Sequence, residues 1–83
     1  MNLDELRLRI DELDETILRL VNQRAECVRE IGQIKRQSNQ DVFVPEREKR
    51  IMERLINLNQ GPLSDHAVQH IFQQIIETLK TLQ

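Results

Sequence analysis

At 83 residues the chain holds one domain, 1–83, near the lower limit at which a single core is self-sufficient. Hydrophobic residues make up 39% and charged residues 31%, with two Gly, two Pro and no Trp or Tyr, which suits amphipathic helices better than sheet and predicts an all-α fold. A formal net charge of −2, with only Phe43 and Phe72 to stack on bases, argues against nucleic-acid binding; no segment reads as a membrane span or signal peptide, so a cytoplasmic chain is expected.

The first predicted helix runs from about Leu3 to about Gln37. Its stripe runs Leu3, Leu6, Ile10, Leu13, Ile17, Leu20, then Arg24, then Cys27, Ile31 and Ile34, with gaps of three and four that specify a sticky helical seam. Gly32 interrupts the helix only at a modest cost in propensity. Such a rod is about 50 Å long, whereas a compact domain of this size is only about 30 Å across, so its seam needs a second long helix. A second copy of the chain, in a two-fold dimer, is the simplest source. Cys27, the only cysteine, reads as a small buried hydrophobe on this stripe.

Ser38-Asn39-Gln40-Asp41 reads as a loop and Val42-Phe43-Val44 as a short extended link, because Pro45 disfavours helix at the residue before it. Pro45 starts the second helix, with Glu46 and Glu48 in its positive first turn and Ile51, Met52, Leu55, Ile56 and Leu58 on its inner face. Asn59-Gln60-Gly61-Pro62 stops it. Ser64 caps a third helix whose apolar face is Ala67, Val68, Ile71, Phe72, Ile75, Ile76, Leu79 and Leu82.

Arg24 stands on the seam of the first helix, where a hydrophobe belongs. A guanidinium that keeps its charge is costly there unless an anion or a buried partner meets it. Lys35 follows eleven residues later, about three turns along and within roughly 20° of the same face. With Arg7, Arg47 and the neighbouring Glu48 these form a cationic set that is either an anion pocket or a group of inter-helix ion pairs that fix register. His66 and His70 share a helix face, but no third ligand at a recognisable spacing joins them, and no metal site is expected. Phosphate-loop, nucleophile-elbow and cysteine-cluster motifs are missing.

Several segments carry a family resemblance. Leu6-Arg7-Leu8-Arg9-Ile10 with Leu13-Asp14, Leu20-Val21-Asn22-Gln23-Arg24, Glu30-Ile31-Gly32-Gln33-Ile34-Lys35 and Pro45-Glu46-Arg47-Glu48, in this order and spacing, resemble the all-helical class of chorismate mutases. Asn59-Gln60-Gly61-Pro62-Leu63 further looks like mutase domains fused to prephenate dehydratase or to an aromatic-pathway synthase. The resemblance implies an intertwined three-helix homodimer with shared active sites. It also implies rearrangement of chorismate to prephenate, in phenylalanine and tyrosine biosynthesis, without cofactor or covalent intermediate. Carried onto this sequence, Arg24 and the Arg7 of a second copy bind the substrate carboxylates, Lys35 and Gln83 donate to the ether oxygen, Glu48 accepts from the substrate hydroxyl and Arg47 supports the site. Val44 stands where some members have an acidic residue whose backbone also contributes, and Leu79 replaces a small or hydroxyl residue that helps hold a carboxylate. Two other readings fit the same residues: an isochorismate-pyruvate lyase on this scaffold, or a non-catalytic helical dimerisation or regulatory domain in which Arg24 and Lys35 form salt bridges.

Overall fold

Asn2 starts the first helix. Its Oδ1 accepts from the Glu5 backbone N–H at 2.9 Å while its side-chain amide donates to Glu5 Oε1 at 3.3 Å, a reciprocal cap that satisfies an otherwise unpaired donor. In the computed structural model, which describes residues 1–38 and 45–83, helix α1 then runs over Leu3–Ser38. Acidic Asp4 and Glu5 sit in its first turn and basic Lys35 and Arg36 in its last, each complementing the helix dipole. Ser38, expected in a loop, is instead the last helical residue, because its hydroxyl donates to the Ile34 carbonyl at 2.6 Å. The rest of the expected loop and the extended link through Val44 lie outside the described residues.

Helix α2 occupies Pro45–Leu58 and α3 Asp65–Leu79, followed by one 3-10 turn, Lys80–Leu82. Between α2 and α3, Asn59 is a staple. Its Oδ1 accepts from the Gly61 N–H at 3.1 Å, and its amide donates to the Leu63 carbonyl at 2.9 Å and to Asp65 Oδ1 at 3.0 Å. Gly61 takes φ +76°, a conformation in which a β-carbon would be strained. Ser64 caps α3 as expected, its hydroxyl accepting from the Ala67 N–H at 3.1 Å.

Packing is sparse and one-sided. Among the described residues α2 packs on α3, while α3 and the 3-10 turn pack on α1, and α1 and α2 do not touch. The buried side chains are Val28, Ile51, Val68, Ile76 and Leu79. Beyond α1, three expected core residues are exposed instead, among them Ile71 of α3 at 43%. Leu58 is the last residue of α2, where the chain turns away at Asn59, and is 66% exposed. Leu82 belongs to the 3-10 turn, whose tighter winding takes it off the apolar face of α3.

The long seam of α1 is the largest departure from a finished core. Leu3, Leu6, Ile10, Leu13, Ile17, Leu20, Ile31 and Ile34 remain between 40% and 61% exposed. Cys27, expected to be buried, is exposed too, because nothing among the described residues covers this stripe. The chain measures 54 × 24 × 16 Å with a radius of gyration of 16.0 Å, against about 12 Å for a compact domain of this length. Its accessible surface of 6944 Å² likewise exceeds the roughly 5,200 Å² of a typical monomer of 9.9 kDa.

The backbones of α1 and the 3-10 turn come close together at Gly32. A β-carbon added there would lie 2.9 Å from the Leu82 carbonyl oxygen and from the Gln83 carbonyl carbon. The glycine thus lets the 3-10 turn lie directly on α1, a stronger role than the tolerated interruption expected of it. Gly32→Ala gains about 1 kcal/mol of helix propensity but meets backbone atoms that cannot swing aside, and overpacking of this kind costs about 1–3 kcal/mol. Thermal unfolding of Gly32→Ala is expected several degrees below that of the parent, whereas a higher midpoint would show that the turn is free to lift.

Candidate functional site

Three element ends meet around Gly32 and Lys80. The last turns of α1 supply Gly32 and Lys35, the first turn of α2 supplies Arg47 and Glu48, and the C-terminal end of α3 with its 3-10 turn supplies Lys80 and Gln83. The Gln83 backbone is set against α1 by the missing side chain of Gly32, one helical turn before Lys35, and its N–H donates to the Lys80 carbonyl at 3.1 Å. Glu48 is drawn to the same end by Lys80, whose Nζ lies 2.7 Å from Glu48 Oε1. Both side chains are half-buried, so this pair is less screened than the exposed neighbours Arg9–Glu12 and Arg29–Glu26.

Arg24 sits elsewhere on α1 and is half-buried. It borders an apolar groove of about 330 Å³ between α1 and α3, with Leu20 and Val21 on its own helix and Val68, Phe72 and Ile75 opposite. No carboxylate among the described residues pairs with it. Lys35 and Arg47 are exposed and likewise unpaired among the described residues. Among the described residues Arg24, Lys35 and Arg47 are therefore not used as internal ion pairs. Along α1, Arg24 and Lys35 are separated by about 16 Å, within reach of two long side chains converging from either end on one small anion.

The remaining expected positions are distributed as follows. Arg7 is exposed, about 25 Å along the helix from Arg24, and so is not brought to the other cations within a single chain. Leu79 is 7% exposed; it belongs to the core and has no polar atom to offer. Val44 lies outside the described residues. His66 and His70 border a shallow hollow with Met52, Gln69 and Gln73, and no group of three or more His, Cys, Asp or Glu among the described residues is gathered to hold a metal ion. Lys80 is the residue that sequence reasoning missed. The only hint was a cation near a helix C-terminus, where it complements the dipole, and that alone does not name a partner 32 positions away.

Cations at the end of α1 and the head of α2, with the Glu48 carboxylate held by Lys80, are groups that suit a small anion carrying a hydroxyl. The family described as chorismate mutase type II matches residues 6–83. The chain belongs to that family. It is 42% identical over 85 residues to a bifunctional chorismate mutase/prephenate dehydratase of Aquifex aeolicus, a match covering 98% of this chain and 24% of that protein. To the chorismate mutase of Methanocaldococcus jannaschii it is 37% identical over 82 residues, covering 98% of this chain and 83% of that one. Among solved structures, the Helicobacter pylori chorismate mutase in complex with prephenate superposes with a TM-score of 0.85 at 25% identity, over 96% of this chain and 87% of that chain. The chain thus spans about a quarter of the length of the bifunctional relative and most of the length of the single-function one. The family's three-helix architecture is the one described above, and no described helix is long and apolar enough to cross a membrane.

Arg24 gives the site a stability test. A half-buried cation with no partner is replaced at little cost by an apolar side chain of similar volume. Arg24→Met is expected to raise the thermal midpoint, by an amount corresponding to about 1 kcal/mol, while weakening binding of a dicarboxylate ligand in calorimetry. A fall in the midpoint would show the guanidinium to be structural.

Proposed function

We propose that the chain rearranges chorismate to prephenate in the cleft where the ends of α1, α2 and α3 meet. The observation that supports this reading is the seating of the Gln83 backbone on Gly32, one helical turn before Lys35. The reaction breaks an ether C–O bond while negative charge grows on its oxygen, and needs fixed donors there but no acid or base. Lys35 supplies a full charge at that oxygen and Gln83 a neutral hydrogen bond. Arg24 takes a substrate carboxylate, for which the planar guanidinium fork is suited. Glu48 accepts from the substrate hydroxyl and fixes the face presented, with Arg47 alongside. Val44 and Leu79 contribute backbone and shape.

The working unit is a homodimer in which the exposed seams of two α1 helices cover one another. The excess of exposed surface over a typical monomer, roughly 1,700 Å² per chain, exceeds the 800 Å² or so that each partner buries in an interface of standard size. In such a pair the Arg7 of one chain reaches the Arg24 and Lys35 of the other, completing a site that a single chain leaves open.

Two measurements test the reading. Lys35→Ala is expected to lower kcat for chorismate about 10²- to 10³-fold without loss of helicity, as removal of one charge-stabilising donor does. Full turnover by that variant would remove Lys35 from the site; release of pyruvate from isochorismate, with no prephenate from chorismate, would assign a lyase instead. Mixing inactive Arg7→Ala and Lys35→Ala chains after unfolding and refolding together should restore about a quarter of the parental activity, since half the dimers then carry one intact site. No recovery, or a monomer in sedimentation at micromolar concentration, would rule out sites shared between chains.

A further inference from the structure

We propose that Lys80 is a positioning residue for Glu48: it orients the carboxylate and offsets its charge, so that a dianionic substrate can approach a site that contains an acid. This rests on the reading of Glu48 as the acceptor for the substrate hydroxyl. Its physical basis is the pair at 2.7 Å between Lys80 Nζ and Glu48 Oε1, with the two side chains 35% and 25% exposed. Lys80 engages Oε1, and in this proposal Oε2 accepts from the substrate hydroxyl. Without the ammonium, a half-buried negative charge faces a ligand carrying two more, and the repulsion is weakly screened at that depth.

Lys80 is fixed from its own side. Its backbone N–H closes α3 on the Ile76 carbonyl, and its carbonyl accepts from the Gln83 N–H at 3.1 Å. One residue therefore sets the start of the turn that lays Gln83 on Gly32 and holds the carboxylate of a helix whose backbone, among the described residues, makes no close approach to α1. The positions of the hydroxyl acceptor and of the neutral ether-oxygen donor are tied together through it.

A double-mutant cycle on the whole 83-residue chain, with chorismate as the probe, tests the proposal. Lys80→Met keeps the aliphatic stem and removes the charge; it is expected to raise KM about tenfold and leave kcat within about twofold, the pattern of lost uniform binding. Lys80→Arg should recover most of the affinity. In a Glu48→Gln background, where no carboxylate remains to be held, adding Lys80→Met should change kcat/KM less than twofold. A tenfold loss in that background as well would overturn the proposal, since Lys80 would then act on the substrate or the fold directly. An unchanged KM in Lys80→Met with Glu48 present would overturn it also. Should Glu48→Gln itself turn over as the parent does, the role of Glu48 in the site fails and the inference with it, whereas an additive cycle removes the inference alone. Circular dichroism and the thermal midpoint of each variant separate these outcomes from misfolding.

Discussion

A helix of 36 residues leaves too little chain to cover it. At about 1.5 Å per residue α1 is some 54 Å long; of the two shorter helices that follow, α3 and its 3-10 turn pack on α1 while α2 packs on α3. The rest of the seam faces outward with its hydrophobes in register. Other properties follow from that shortage: few buried side chains, an extended shape, and cations that meet no counter-charge among the described residues. The hydrophobic effect fixes helix pairing here, but it can finish only when more apolar surface is brought to the seam.

Against that background the polar residues divide by where they lie. Glu12, Glu26 and their arginine neighbours pair within one turn at full exposure, where such contacts contribute little. Glu48 and Lys80 pair across the fold at partial burial, and Arg24 borders an apolar groove with no acid to meet it. The residues tied to local helix surface and the residues tied to an anion are thus separated by burial and by sequence distance. Charge count alone does not separate them.

Much of the fold was legible because its signals are local. The three-and-four spacing of α1, Pro45 at the head of α2, Gly61 in the turn and Ser64 at the head of α3 each act within a few residues, and each stands where that local chemistry puts it. Arg24 was legible as an anomaly for the same reason, since the period it breaks is its own helix's. The misses are of two kinds. Ser38, Leu58 and Leu82 fall at element ends, where one back-bonding hydroxyl or one tighter turn decides the outcome. The role of Gly32, the exposure of Cys27 and the partner of Glu48 depend on which surfaces meet in space, and no periodicity within a segment carries that information.

The turn at Asn59 has a mechanical consequence. Helix α2 packs on α3, and among the described residues its backbone makes no close approach to α1, so Glu48 is carried on an arm whose root is at Asn59, eleven residues or about 16 Å away. A tilt of only about 5° at that root sweeps the carboxylate through about 1.4 Å, a displacement of the size that can cost two orders of magnitude in a reaction governed by alignment. Three hydrogen bonds from one asparagine side chain, on the solvent side of the molecule, therefore set the aim of a charged group at its far end. For this fold, stiffness in a surface turn is a form of precision at a distance.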